Sequence, residues 1–239
     1  TIERSRCVSC MQGKASRSAA KPGSRDKHLD HTPFAQVHSD ICIVDRKSKI
    51  PGFINFRCAF TGYTVIYLIT KKSEAVDRIH EFINWVKTQF HSKGYQVLRL
   101  FVDKGKEYLN DDVSNLLTSA GITLHTTSGY SPASNGASER HNLTTMNDVR
   151  TMLDASKLPN KFWPEAAIHS NYLRNFTYKK KLKDSPAGYI GLLPLDTKRL
   201  HTFGEFCVLA VLPYEGKTET RGSPAIYLGY DIGTFGHAI

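Results

Sequence analysis

The stretch VLRLFVDKGKEY, residues 97–108, contains the most informative pattern in this chain. Its apolar first half predicts a buried strand over residues 97–102 that ends at Asp103. Gly105 allows the backbone to turn, and a helix is predicted from about Glu107 to Ala120. Because ligand sites in α/β sheets lie at the carboxyl ends of the strands, Asp103 is a candidate site residue.

A second stretch, YSPASNGASERHN at residues 130–142, carries another acidic residue, Glu139. Residues 127–135 are rich in Ser, Gly and Pro, and they predict a flexible segment before a helix. Glu139 precedes Leu143 by one helical turn, so the pattern predicts Glu139 on the inward face of that helix. The other apolar residues of this face are Met146, Val149 and Leu153. Thirty-five residues separate Asp103 from Glu139.

A third carboxylate, Asp40, lies in the strand-like run FAQVHSDICIV at residues 34–44. If this strand pairs beside the strand that ends at Asp103, the side chains of Asp40, Asp103 and Glu139 can meet. Converging carboxylates repel one another unless a cation lies between them, and oxygen ligands suit Mg²⁺ or Mn²⁺. Two such ions, about 3.5–4 Å apart, can support a displacement at a phosphodiester.

The residues around these carboxylates resemble the D,D-35-E motif of retroviral-type integrases. The matching flanks are His38-Ser39-Asp40, Asp103-x-Gly105-x-Glu107-Tyr108 and Tyr130-x-Pro132-x-x-Asn135-Gly136-x-x-Glu139-Arg140-x-Asn142. The run LPNKFWPEA, residues 158–166, resembles copia-type long-terminal-repeat retrotransposon integrases in particular. Ala133 stands where this family usually has Gln, a departure that affects a DNA-facing contact and not the metal site.

The predicted elements follow the order βββαβαβα, which is that of the ribonuclease H-like fold shared by this family. Strands are predicted at residues 53–60 and 63–69, joined by a tight turn at Thr61-Gly62. A helix is predicted from Ser73 and Glu74 to a stop at Lys93-Gly94, with an apolar stripe that ends at Phe90. The resemblance implies an α/β fold, a mixed five-stranded sheet flanked by helices, with a small and incomplete SH3-like β-barrel at the C-terminus.

Four segments are expected along the chain. Residues 1–31 are the remnant of an N-terminal zinc module and a basic linker, and residues 32–178 are the catalytic core. Residues 179–199 form a basic linker, and residues 200–239 form the partial barrel. Cys7 and Cys10 have the spacing of zinc ligands. The resemblance implies that they bind Zn²⁺ only if residues outside this chain complete the module.

The resemblance implies a two-metal polynucleotidyl transferase that joins 3′-hydroxyl ends of element DNA to target DNA. Asp40, Asp103 and Glu139 would be catalytic and would hold two Mg²⁺ or Mn²⁺ ions. One ion would activate the attacking oxygen, and the other would stabilise the leaving oxygen. Two roles remain possible for Glu107: it orients a metal-bound water, or it is a surface residue.

The formal net charge of +10 and the pI of about 9.4 favour a polyanionic partner, with nucleic acid the first candidate. The candidate DNA contacts are Lys104, Lys106, Asn135, Gly136, Arg140, His141, Lys179, Lys180 and Lys181. No apolar run is long enough to span a membrane, so no membrane partner is expected. The expected setting is the nucleus and cytoplasm, and a homo-oligomer is expected at full length.

Two alternatives remain open from the sequence. A ribonuclease H on the same fold would hydrolyse the RNA strand of hybrids, but that family commonly uses four carboxylates and lacks the spacing of 35 residues. A truncated or decayed element copy would fold and bind DNA without integrating it. The incomplete zinc module and the incomplete barrel favour this second alternative, whereas the intact set of three carboxylates disfavours it.

Overall fold

The computed structural model describes residues 31–126, 132–192, 200–210, 221–230 and 237–238, with only the backbone for 132–138 and 237–238. The chain divides into two compact units. Among the described residues, one unit holds 31–144 and 173–192, and the other holds 145–172 with the C-terminal strands. Cys7 and Cys10 lie outside the described residues, as does part of the second predicted linker.

A mixed five-stranded sheet forms the centre of the first unit. Its strands are β1 (Gln36–Ile43), β2 (Gly52–Cys58), β3 (Thr64–Ile69), β4 (Arg99–Val102) and β5 (Thr123–Thr126). They lie in the order β3-β2-β1-β4-β5. The first three strands pair antiparallel, whereas β4 runs parallel to both β1 and β5. This topology confirms the predicted α/β fold class.

The helices alternate with the later strands in the predicted order. They are α1 (Ala75–Gln89), α2 (Asp111–Ser119), α3 (Pro132–Ser156), α4 (Trp163–Phe176) and the short α5 (Pro186–Tyr189). In α1 the buried residues recur at helical spacing, as an amphipathic helix requires. They are Ala75, Ile79, Phe82 and Val86. Gly94, with a φ of 66°, ends the turn that follows this helix.

Side chains from the sheet, α1 and α2 form one buried apolar cluster. The ring of Phe82 on α1 stacks on Phe56 of β2, with ring centroids 4.5 Å apart. Phe34, which is fully buried just before β1, contacts Phe82, Trp85 and Phe90 edge-on or tilted. Burying each such ring contributes about 1.5–3 kcal/mol, so this cluster fixes the strand that carries Asp40.

Two predicted helix starts were wrong. Helix α2 begins at Asp111 and not near Glu107, because the Asn110 side chain accepts a hydrogen bond from the Val113 amide at 2.9 Å and caps the helix. Residues 106–108 form a turn instead. Helix α3 begins at Pro132, so its first four residues lie in the segment predicted to be flexible. Proline suits the first turn of a helix because its missing amide proton is not needed there.

The predicted inward face of α3 was also wrong at its N-terminal end. Glu139 is exposed, and Leu143 retains 51% of its accessible surface. The buried stripe starts one residue earlier, at the half-buried Asn142, and the fully buried positions are Thr145, Val149 and Leu153. Asn142 faces the sheet because its amide hydrogen-bonds Asp40, so Glu139 lies at the margin of this stripe.

The second unit contains two small sheets among its described residues. Strands β6 (Phe206–Ala210) and β7 (Gly222–Ile226) pair antiparallel, as do β8 (Gly229–Tyr230) and β9 (His237–Ala238). Tyr230 stacks on Tyr172 of α4, with ring centroids 4.5 Å apart. A closed barrel and the four predicted segment boundaries stay predictions. None of the helices in the described ranges is long and apolar enough to cross a membrane.

Candidate active site

The parallel pairing of β1 and β4 brings two of the candidate carboxylates to one edge of the sheet. Val37 pairs with Leu100, and His38 pairs with Phe101. The same register, continued by two residues, aligns Asp40 with Asp103 just past the end of β4. This alignment follows from backbone hydrogen bonding, so it does not depend on the rotamer of either carboxylate.

The electrostatics of Asp40 show that the other two candidate carboxylates act on it. Burial raises the pKa of Asp40 from 3.8 to about 6, and the charges of Asp103 and Glu139 add to this increase. Hydrogen bonds from the Ile41 backbone and the Asn142 side chain oppose it. The charges of Asp103 and Glu139 therefore reach Asp40, while the convergence of the three carboxylates and their catalytic and metal-binding roles stay predictions.

A pair of asparagines that sequence reasoning missed as site residues holds Asp40 in place. The Asn142 side-chain amide donates to Asp40 Oδ2 at 2.8 Å. Asn55, on the neighbouring strand, donates to Asn142 Oδ1 at 2.8 Å and to the Asp40 carbonyl at 3.1 Å. Asn142 was in the motif quoted for Glu139, three residues further along the helix, and that spacing was the available signal.

The turn after β4 keeps Asp103 close to the backbone of Gly105. The Gly105 amide donates to Asp103 Oδ1 at 3.0 Å. A Cβ at position 105 would lie 2.7 Å from Glu107 Cδ and 2.9 Å from Asp103 Oδ1, so a larger residue there would require these two carboxylates to move. Beneath the turn, the buried Tyr108 hydroxyl lies 3.0 Å from Ser39 Oγ and joins the turn to β1.

Glu107 is engaged in an ion pair. Its carboxylate lies 2.6 Å from Lys72 Nζ, and its side chain retains only 12% of its accessible surface. Burial raises the pKa of Glu107, but the hydrogen bond and charge of Lys72 outweigh burial and lower it overall. Lys72 pairs with one oxygen of this carboxylate, and the two roles suggested for Glu107, as a surface residue or as a group that orients a metal-bound water, stay predictions.

The donor set fits a hard divalent cation. Asp40, Asp103 and Glu139 offer only carboxylate oxygens, which Mg²⁺ and Mn²⁺ prefer, and a cation between them would relieve the repulsion that raises the pKa of Asp40. As the side chains stand, no group of three His, Cys, Asp or Glu residues in the described part of the chain is close enough to hold a metal ion. Metal binding would therefore draw the three carboxylates closer together.

The candidate DNA contacts differ in their surroundings. Lys104, Lys106, Arg140, Lys180 and Lys181 are exposed, and His141 is half-buried. Asn135 and Gly136 lie in the first turn of α3, where only the backbone is described. Lys179 is half-buried, and its ammonium group donates to the carbonyl oxygens of Thr61 and Gly62 at 3.4 and 3.3 Å.

Sequence reasoning also missed Arg57. This residue lies on β2 opposite His38. It is two residues along the strand from Asn55, on the same face of the sheet. Burial lowers the pKa of its guanidinium, and the positive charge of Arg140 lowers it further. Its position in an apolar strand gave no signal, because a single Arg in such a run is usually a solvated edge residue.

The fold and the site define a class of protein. A sheet of order β3-β2-β1-β4-β5, with an acidic residue on β1, another after β4 and a third on the helix after β5, is the arrangement of a ribonuclease H-like integrase core. No protein-family model matches the chain.

Comparison with curated proteins relates this chain to a retrotransposon. It is 30% identical, over 239 residues, to the transposon Ty1-LR3 Gag-Pol polyprotein of Saccharomyces cerevisiae. The match covers 98% of this chain, which spans 13% of the length of that polyprotein. The predicted relationship to copia-type retrotransposon integrases is confirmed.

Two solved structures of the HTLV-2 integrase catalytic core domain in complex with magnesium are similar at 18% identity. The trimeric form has a TM-score of 0.48 and matches 66% of this chain and 97% of the solved chain. The dimeric form has a TM-score of 0.46 and matches 62% and 90%, respectively.

Proposed function

We propose that this chain is the catalytic core of a long-terminal-repeat retrotransposon integrase, a DNA strand transferase that joins 3′-hydroxyl ends of element DNA to target DNA. The observation that supports this most directly is the raised pKa of Asp40, caused by burial and by the charges of Asp103 and Glu139. A buried carboxylate whose charge is disfavoured further by two neighbouring carboxylates suits a cation-binding site, and perturbed carboxylates of this kind cluster at catalytic sites.

Asp40, Asp103 and Glu139 are the proposed ligands of two divalent ions, Mg²⁺ or Mn²⁺. When bound, such ions activate an attacking oxygen and stabilise a leaving oxygen at a phosphodiester. The contribution of the other residues is positional. Asn142 and Asn55 fix the orientation of Asp40, and the Gly105 amide fixes Asp103.

The Lys72–Glu107 ion pair serves the same proposed site by keeping an additional carboxylate occupied. Glu107 lies in the turn beside Asp103, and without Lys72 its charge would add to the repulsion there. With the pair formed, the charge of the site remains that of the three proposed ligands.

DNA is the proposed partner, as element ends and as target. The formal net charge of +10 and the exposed cations near the carboxylates support this proposal. Lys104 and Lys106 lie in the turn beside Asp103, and Arg140 follows Glu139 directly on α3. Assembly into a homo-oligomer at full length and a nuclear and cytoplasmic setting belong to the same proposal.

The proposed reaction is tested with branched DNA. A branched substrate already holds its attacking hydroxyl near the scissile phosphate, so reversal of strand transfer needs little more than one active site. We expect this chain to reverse strand transfer with Mn²⁺ or Mg²⁺, and we expect Asp103→Asn to lose the activity while keeping its fold and its DNA affinity.

Asp45→Asn is the matched control because Asp45 is an exposed carboxylate whose loss removes the same charge elsewhere. It should retain normal activity. Normal reversal of strand transfer by Asp103→Asn would overturn the site assignment. DNA binding by the unsubstituted chain with no reversal in either metal would favour the alternative of an element copy that binds DNA without integrating it.

A further inference from the structure

The turn between β2 and β3 brings two cationic side chains together. A Cβ on Gly62 would lie 2.7 Å from Lys179 Nζ and 2.9 Å from an Arg57 guanidinium nitrogen. The two cationic nitrogens therefore lie close together beside the turn. Lys179 is held there by the Thr61 and Gly62 carbonyl oxygens, and Arg57 by its place on β2.

These cations repel one another in a partly desolvated environment. Burial lowers the pKa of Lys179 to about 8, the charges of Arg57 and Arg174 contribute to the decrease, and Cys58 opposes it. Burial also lowers the pKa of Arg57, Cys58 opposes this effect, and the charge of Arg140 adds to it. Among the described residues, no carboxylate contributes to the pKa of either group. Unbalanced buried charge is costly, and an anion between the two groups would remove that cost.

The location of this cluster relates it to the candidate active site. Asp40 pairs with Asn55 across β1 and β2, and His38 pairs with Arg57 two residues away. Two residues of a strand span about 7 Å, and alternate residues lie on the same face of the sheet. Arg140, which interacts with Arg57, adjoins Glu139 on α3. Positive charge therefore extends from the three carboxylates to the β2–β3 turn.

We propose that Arg57 and Lys179 form a phosphate-binding site that holds a backbone phosphate of the DNA strand next to the candidate active site. A guanidinium offers paired donors to phosphate oxygens, and an ammonium adds a point charge beside it. This proposal rests on the proposed function for its choice of ligand. The binding site itself requires no metal and no reaction, so it is measured separately from catalysis.

Free phosphate and a nucleic-acid phosphate share the same chemistry, and two measurements distinguish them. The first is thermal unfolding in sodium phosphate against sodium chloride of equal ionic strength, with EDTA present. The second is the salt dependence of duplex DNA affinity, also in EDTA, because each phosphate contact adds about −0.9 to the log–log slope. The variants are Arg57→Gln and Lys179→Met, and the matched control is Lys180→Gln, an exposed cation in the same loop.

We expect phosphate to raise the Tm of the unsubstituted chain and of Lys180→Gln, and to have no specific effect on Arg57→Gln or Lys179→Met. We also expect Arg57→Gln to reduce the DNA salt slope by about 0.9, the loss of one contact. In chloride, Arg57→Gln should be at least as stable as the unsubstituted chain because it removes an unbalanced charge. A lost phosphate effect in this variant therefore cannot be explained by unfolding.

A specific phosphate effect that persists in both variants would overturn the site. Loss of the phosphate effect with an unchanged DNA slope would show a site for free phosphate and would overturn the assignment to nucleic acid. Neither result depends on strand transfer. Both measurements therefore test the phosphate-binding site even if the proposed reaction fails.

Discussion

Neutralising Asp40 should stabilise the metal-free protein, although the same change should remove metal binding. Its pKa rises from 3.8 to about 6 because of burial and because of the charges of Asp103 and Glu139. A shift of about two pKa units corresponds to about 3 kcal/mol of unfavourable free energy for the ionised form in the folded state. Asp40→Asn removes this charge, and the asparagine oxygen can still accept from Asn142.

The pH dependence follows from the sign of this shift. A carboxyl group whose folded pKa exceeds its unfolded pKa binds more protons in the folded state between pH 4 and 6. The free energy of unfolding should therefore fall as the pH rises through this window, and the full cost should be present above pH 6. For Asp40→Asn this component should disappear, and the variant should be more stable at pH 7 by up to about 3 kcal/mol.

The assay is urea unfolding between pH 4 and 8 in EDTA, followed by a magnesium titration at pH 7. Mg²⁺ should stabilise the unsubstituted chain by about 2.7 kcal/mol at a hundredfold excess over its Kd, and Asp40→Asn by far less. Asp45→Asn is the control, because its carboxylate is exposed and its asparagine can still accept from the Lys47 amide. An Asp40→Asn protein that is less stable than the unsubstituted chain at pH 7 in EDTA would refute the repulsion argument.

Three further predictions concern individual contacts. Asn142→Ala removes the donor to Asp40 and one of the two acceptors of the Asn55 amide, so it should lower the free energy of unfolding by about 1–3 kcal/mol in urea titrations and reduce strand transfer more than DNA affinity. Asn110→Ala removes the cap of α2 and should cost about 1 kcal/mol in the same titrations, with activity unchanged. Lys179 has a folded pKa of about 8, below the ordinary 10.5, so stability should rise from about pH 8 to 10.5, and Lys179→Met should abolish that rise in unfolding curves.

The carboxylates were predictable because each is marked by its local pattern. Asp103 follows an apolar run that predicts a strand, although the strand is only Arg99–Val102 and is buried at alternate positions, and Asp40 lies within another such run. The pairing of these two strands was a conditional expectation, because strand order depends on contacts between distant residues. The resemblance to integrases supplied that order, and the sheet register confirms it.

The contacts around the carboxylates were not predictable in the same way. Asn55 on β2 donates a hydrogen bond to Asn142 on α3. No periodicity within either element indicates that these two residues meet. The predicted stripe on α3 followed Leu143, whereas the structure turns Asn142 inward, because a hydrogen bond to a buried carboxylate outweighs one partly exposed leucine. Lys72 and Glu107 likewise meet only because the turn after β4 approaches the start of α1.

The parallel pairing of β1 with β4 also has a consequence for the order of folding. Two antiparallel strands and α1 lie between these elements in the chain, so their pairing closes a long loop and requires most of the sheet to be in place. Local hairpins form quickly, whereas such non-local pairings come late. A chain emerging during synthesis therefore contains Asp40 long before it contains the site, and any reaction the site supports must wait until the sheet is complete.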